Sequence, residues 1–150
     1  MSSTSTSNRP DVFSARPTSG MVVVRPDEEV MGKQSLPYFV GVSGASTGAT
    51  GISMNLVVVP PGGAAEPHSH RGFETAVYML RGVVEVRYGR TLGERLTLSA
   101  GEFLFIPADV PHQPVNHDPD EPAFALVARN DANEQESIEH FHPVEATDSP

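Results

Sequence analysis

Turn residues set the limits on what this chain can fold into. Its 150 residues carry 13 glycines and 14 prolines, placed so that apolar runs are cut about every 8–12 residues. Runs that short and rich in β-branched and aromatic residues make strands rather than helices, and many short strands with turns between them close into a sandwich or barrel. The segments 38–42, 52–59, 75–80, 83–88, 102–106 and 122–129 read as strands. The run VVEVRY alternates, which puts Val84, Val86 and Tyr88 on one side. Residues 21–24 read as a first strand, 27–33 as one helical turn, 43–51 as a flexible loop, and 90–98 as two short segments around Gly93. The expected fold is all-β, a single jelly-roll barrel.

The length suits one domain with tails. A flexible, Ser/Thr/Pro-rich arm is expected over residues 1–20, the barrel over 21–130, and a polar tail over 131–150 with at most one helical turn at 134–140. The net charge is -9 with no cysteine. Such a surface repels phosphate backbones and anionic lipids, so neither nucleic acid nor membrane is an expected partner. Disulfides, thiolate metal sites and cysteine nucleophiles are excluded. The first residues have no apolar core and no basic start, unlike a secretory signal, and a cytoplasmic location is expected.

Two stretches carry the chemistry. The first, Gly62 to Gly82, reads GGAAEPHSHRGFETAVYMLRG, with His68 and His70 one residue apart and an acid at Glu74. Alternate residues on a strand point the same way, roughly 6.6 Å apart, so the two rings can share one ion. Neutral imidazole offers a nitrogen lone pair at physiological pH. Alone, such a pair describes a surface strand as readily as a site. The second stretch, Gly101 to Asn116, reads GEFLFIPADVPHQPVN and adds His112 behind two stiffening prolines, Pro107 and Pro111. A third ring from a distant strand would close one face of a coordination shell and leave positions open for substrate.

The two stretches together resemble the paired motifs of the cupin superfamily. Gly62, five residues, then His68-Ser69-His70 and, three residues on, Glu74 is similar to the first motif. Gly101, five residues, Pro107, then His112, three residues and Asn116 is similar to the second, with Asp109 where a glycine is usual. The likeness covers about residues 52 to 129. It implies a double-stranded β-helix barrel and one divalent transition metal ion (Fe, Mn, Zn or Ni) on His68, His70, Glu74 and His112. The family pattern leaves six residues between the acid and the closing glycine. With six residues before Gly82 the acid's place falls on Thr75, and in a regular strand Thr75, Val77 and Met79 share a face that Glu74 does not. A bulge near Phe73 would turn Glu74 inward. Otherwise three histidines and water hold the ion, Thr75 lies beside them, and Glu74 is the candidate acid or base.

The function this resemblance implies is metal-dependent chemistry on a small oxygenated organic substrate, with an oxidoreductase, a dioxygenase in particular, as the leading expectation. The alternatives are a non-redox cupin enzyme (isomerase, decarboxylase or other lyase) and a sensory metal- or ligand-binding cupin. A homodimer is expected, because an open jelly roll leaves sheet edges to cover. Among the remaining residues, one of the pairs Phe103/Phe105 and Leu104/Ile106 should face the interior. Asn116 should fix the His112 loop through hydrogen bonds. Arg129 should make a structural ion pair or, failing that, meet a substrate carboxylate. His140-Phe141-His142 and His117 read as surface histidines without a metal.

Overall fold

The computed structural model describes residues 20–26, 28–133 and 138–143. Two antiparallel sheets face each other. The strands are β1 (Val30–Met31), β2 (Pro37–Val42), β3 (Ser53–Val59), β4 (His68–His70), β5 (Thr75–Arg81), β6 (Val83–Tyr88), β7 (Glu94–Ser99), β8 (Phe103–Ile106), β9 (His112–Val115), β10 (Ala123–Arg129) and β11 (Ile138–His140). One sheet runs β1-β2-β3-β10-β5-β8 and the other β11-β4-β9-β6-β7. From β3 onward the chain crosses between the sheets repeatedly, which is the jelly-roll topology the turn spacing implied. Gly82 makes one of these crossings between β5 and β6. Its φ is 85°, and a Cβ there would sit 3.0 Å from Ala123, so a side chain would be both strained and crowded.

Alternation decides which face of each strand is inside. Val59, Met79, Val84, Val86, Leu98, Ala123 and Ala125 are buried between the sheets with Leu36 and Ala65. Leu104 packs against this core and Ile106 is buried, whereas Phe103 and Phe105 are 80% and 59% exposed. The opposite face of the larger sheet is also apolar. Phe39, Leu56, Leu126, Tyr78 and Phe103 are successive cross-strand partners over β2, β3, β10, β5 and β8, and the Tyr78 and Phe103 rings lie 4.7 Å apart.

Several local expectations are corrected. Residues 21–24 form no strand; Val23 is 70% exposed and has no strand partner among the described residues. The helical turn expected at 27–33 is replaced by β1, which pairs with β2. The loop expected at 43–51 holds a short helix, α1 (Gly44–Thr47), because the Ser43 and Ser46 side chains each bond the other's backbone N–H in a capping box, and Gly48 closes it at φ 78°. Of the two segments expected around Gly93, the second is a strand, 94–99, and residues 90–93 are a turn. Two strands are additional. Residues 112–115, read as loop, form β9 between β4 and β6, and residues 138–140, given to the tail, pair with β4 rather than forming a helical turn. The arm expected over 1–20 lies, except for Gly20, outside the described residues. Among the described residues no helix is long and apolar enough to cross a membrane.

Candidate metal centre

The site arises from strand pairing. His68 on β4 lies directly opposite His112 on β9, a position at which side chains on one face meet. His70, two residues along β4, shares the face of His68. The ring centroids of His68 and His112 are 4.4 Å apart, those of His68 and His70 5.1 Å, and those of His70 and His112 5.4 Å. All three side chains are buried, and each offers one nitrogen such that these atoms lie within 4.8 Å of one another.

Backbone hydrogen bonds orient two of the rings. Nδ1 of His68 donates to the Glu66 carbonyl at 2.7 Å, and Nδ1 of His112 donates to the Val110 carbonyl at 2.9 Å. A proton on Nδ1 leaves the Nε2 lone pair unprotonated and fixed in direction, as a metal ligand requires. Neither nitrogen of buried His70 has a hydrogen-bond partner among the described residues. Such an orphaned pair carries a desolvation penalty that a metal bond would remove. Burial pushes His68 down to about 3, with the charge of His112 next in effect. It pushes His70 down to about 2, with Arg129 next, and His112 down to about 4. All three rings are therefore neutral at physiological pH, the form that binds a cation. The donor set fits a first-row divalent ion.

Glu74 stands apart. Its side chain is exposed, its backbone N–H donates to Asn130 Oδ1 at 2.8 Å, and it is not in the histidine cluster. β5 begins at Thr75 and pairs regularly there with β8 and β10, with no bulge to turn Glu74 inward. Thr75 is 2% exposed and faces the interior, as its register with Gly82 predicted. The structure thus brings together three of the four residues read from the sequence and leaves Glu74 outside their cluster, with Thr75 in the wall of the cavity that His68 and His112 also line.

Across from the histidines, Ser53, Arg129, Thr75 and Ile106 are successive cross-strand partners in the other sheet. Arg129 is buried at 9% exposure, and its Nε donates to Thr75 Oγ1 at 2.8 Å. The alternation Ala123, Ala125, Val127, Arg129 already signals an inward arginine. A cavity of about 90 Å³ lies between the sheets, with His68, His112, Thr75, Arg129 and Gln34 as its polar lining and an otherwise aliphatic wall.

The loops around the site are pinned by two polar residues. Asn116 Nδ2 donates to the carbonyls of Val59, Pro60 and Glu121, and its Oδ1 accepts from Asp118 N–H, so its side chain ties residues 59–60 to 118–121 rather than holding the loop before His112. Asp109 has φ 67°. Asp tolerates this conformation better than most residues, and here it also ties the two motifs together. Its N–H donates to the His70 carbonyl and its Oδ1 accepts from Gly72 N–H, each at 3.0 Å. Asp109→Ala should destabilise the fold by about 1–2 kcal/mol, through the lost bond and the left-handed backbone. Chemical denaturation should show this, with Asp109→Gly less affected than Asp109→Ala. His117 and His140 are half or more exposed, near Glu85 and Glu66 respectively.

A two-sheet barrel with three buried histidines gathered in one cluster defines a small β-barrel with a candidate metal site. The sequence matches the cupin-domain family model over residues 55–129, and the chain belongs to the cupin superfamily. Solved structures agree in fold. A polyketide cyclase from Streptomyces resistomycificus superposes with a TM-score of 0.64 at 21% identity, over 84% of this chain and 89% of that one. A Cupin 2 conserved barrel domain protein from Salinispora arenicola gives 0.61 at 22%, over 75% and 91%. An oxalate decarboxylase from Lactobacillus farciminis gives 0.64 at 21%, over 75% of this chain, but this chain spans only 33% of that one. No curated protein matches the sequence.

Proposed function

We propose that the protein is a mononuclear metal enzyme that acts on a small oxygenated organic molecule, as an oxidoreductase of the dioxygenase kind. The observation that carries this reading is the buried, neutral trio His68, His70 and His112, of which His68 and His112 line an otherwise mostly apolar cavity. Three protein ligands leave coordination positions for substrate, and a bound divalent ion would supply Lewis acidity or dioxygen activation there. The chain's own part is to orient His68 and His112 through the Glu66 and Val110 carbonyls, and to exclude bulk water with aliphatic walls. It holds the substrate between the trio and Arg129.

The fold does not select the reaction, so the test must. Purified protein is analysed for metal, loaded separately with Fe(II), Mn(II), Zn(II) and Ni(II), and assayed for oxygen uptake with diketones, phenols and small carboxylic acids. One ion per chain and substrate-dependent oxygen consumption are expected. Turnover without oxygen uptake would move the reading to a non-redox cupin enzyme. Negligible metal content, with stability unchanged on replacing His68 and His112 by Ala, would overturn it.

We further propose that a second copy of this chain covers the outer face of the larger sheet. The apolar row from Phe39 to Phe103 runs to β8, the open edge of that sheet, and a two-fold axis would set like patches against each other. Sedimentation at micromolar concentration should give a dimer, and Phe103→Glu a monomer that still binds metal. A monomeric parent protein would contradict the proposal.

A further inference from the structure

We propose that the gap between β7 and β8 is a substrate subsite, an apolar slot beside the histidine trio that takes an aromatic ring. The inference rests on the reading of the trio as a metal centre and names the class of substrate for it.

The slot follows from how the two sheets end. β7 is the last strand of the smaller sheet and β8 the last of the larger. β7 pairs with β6 and β8 with β5, and no ladder joins β7 to β8 among the described residues. A second cavity, of about 250 Å³, lies along this line. It shares Val86, Leu104, Ile106 and His112 with the cavity between the sheets, so the two meet at a residue of the candidate metal centre. Strand register accounts for the meeting. Tyr88 lies opposite His112 across β6 and β9, and Leu96 lies opposite Val86 across β6 and β7. Val86 and Tyr88 share a face of β6, so the path from His112 runs past Tyr88 and Val86 to Leu96 on the edge strand.

The lining selects the occupant. Apart from His112 and the Tyr88 hydroxyl, the side chains of the slot are apolar, and a charged or strongly hydrogen-bonding group placed among them would lose water without replacement. Size points the same way. The cavity between the sheets, about 90 Å³, is smaller than the ~150 Å³ engineered cavity that holds benzene, whereas the slot is larger. A substrate with its oxygens at the trio therefore has room for a ring in the slot. A rigid ring gives up less rotational freedom on binding than an alkyl chain of similar area, and Tyr88 offers it an aromatic neighbour.

The test measures binding with the metal-binding group held constant. Zn(II)-loaded protein, with metal content verified before and after, is titrated calorimetrically with benzohydroxamate and acetohydroxamate, which carry the same chelating head with and without a ring. The parent protein should prefer benzohydroxamate by roughly tenfold to a hundredfold. Leu96→Trp, which fills the slot from β7 at a residue outside the trio, should remove most of that preference and leave acetohydroxamate binding unchanged. In the parent protein the ring protons of bound benzohydroxamate should also give NOEs to the methyl groups of Leu96 and Val110. If Leu96→Trp fails to fold or to hold metal, the NOEs decide. Equal binding of the two hydroxamates by the parent protein, a preference that survives in metal-loaded Leu96→Trp, or ring NOEs to Leu36 and Val59 of the other cavity instead, overturns the proposal. Negligible metal content, or binding of neither hydroxamate, would instead sink the underlying reading of the trio.

Discussion

His112→Ala is expected to abolish stoichiometric metal binding while leaving the barrel folded. His112 is the one ligand that β9 contributes, and its ring sits 4.4 Å from that of His68. Removing it leaves two rings on a single strand, which cannot enclose one side of an ion. Loss of a residue that merely orients a ligand costs about ten- to hundredfold in metal affinity, so loss of the ligand itself should cost more than that. The same change should remove the stabilisation that metal confers. Saturation at a hundred times Kd is worth about 2.7 kcal/mol, or roughly 5–10 °C in Tm for a domain of this size. Differential scanning fluorimetry with and without metal reads both effects. Glu74→Gln is the control: with an exposed side chain outside the cluster, it should change neither metal content nor the metal-induced rise in Tm. A loss of metal in Glu74→Gln matching that in His112→Ala would restore the acid as a ligand.

The metal-free protein is expected to be acid-labile at unusually mild pH. His68, His70 and His112 are held by burial at about 3, 2 and 4, against 6.5 in the unfolded chain. The folded state thus resists protons that the unfolded state accepts. Stability from these groups is whole above pH 6.5 and falls as pH drops from there toward the folded values. At pH 5 the loss is set by the unfolded chain and amounts to about 2 kcal/mol for each histidine. Three together are a large part of the 5–15 kcal/mol typical of a domain. Between pH 7.5 and pH 5 the Tm of metal-free protein should fall by roughly 10–20 °C. Metal should delay the fall, because a bound ion competes with protons for the same nitrogens. A Tm that stays flat to pH 5 without metal would mean that these rings are not buried as described.

Much of the barrel was legible because period-two alternation and glycine turns act locally. β6 and the alternation within β8 follow directly from their patterns, although which β8 pair faces inward does not, and the alternation that turns Arg129 inward was present but not read. β9 was hidden by Pro111 and Pro114. A strand that contains proline reads as loop, yet Pro114 lies opposite Val86 in a paired strand, and its carbonyl accepts from Ala65 N–H. α1 was hidden because Gly, Ala, Ser and Thr suggest a loop, and the Ser43–Ser46 capping box that holds it is a short-range signal in a polar segment. β1 and β11 are two- and three-residue strands fixed by the neighbours they pair with, which no local pattern announces. At the site, the histidine pair was ambiguous by itself and became legible through the resemblance of the two paired motifs, while the count back from Gly82 offered Thr75 as the alternative to Glu74 and left the two open. What could not be read was that Arg129 would stand across from the histidines, because that depends on pairing β10 with β5 some fifty residues away in sequence.

The central claim is that His68, His70 and His112 hold one metal ion and that Glu74 does not take part. Crystals of metal-loaded protein, with diffraction recorded on either side of the metal absorption edge, test it directly. A single anomalous peak within bonding distance of one nitrogen from each of the three rings, with Glu74 directed to solvent, is the predicted result. A peak bonded to the Glu74 carboxylate, or a fully loaded protein with no peak among these histidines, would contradict it.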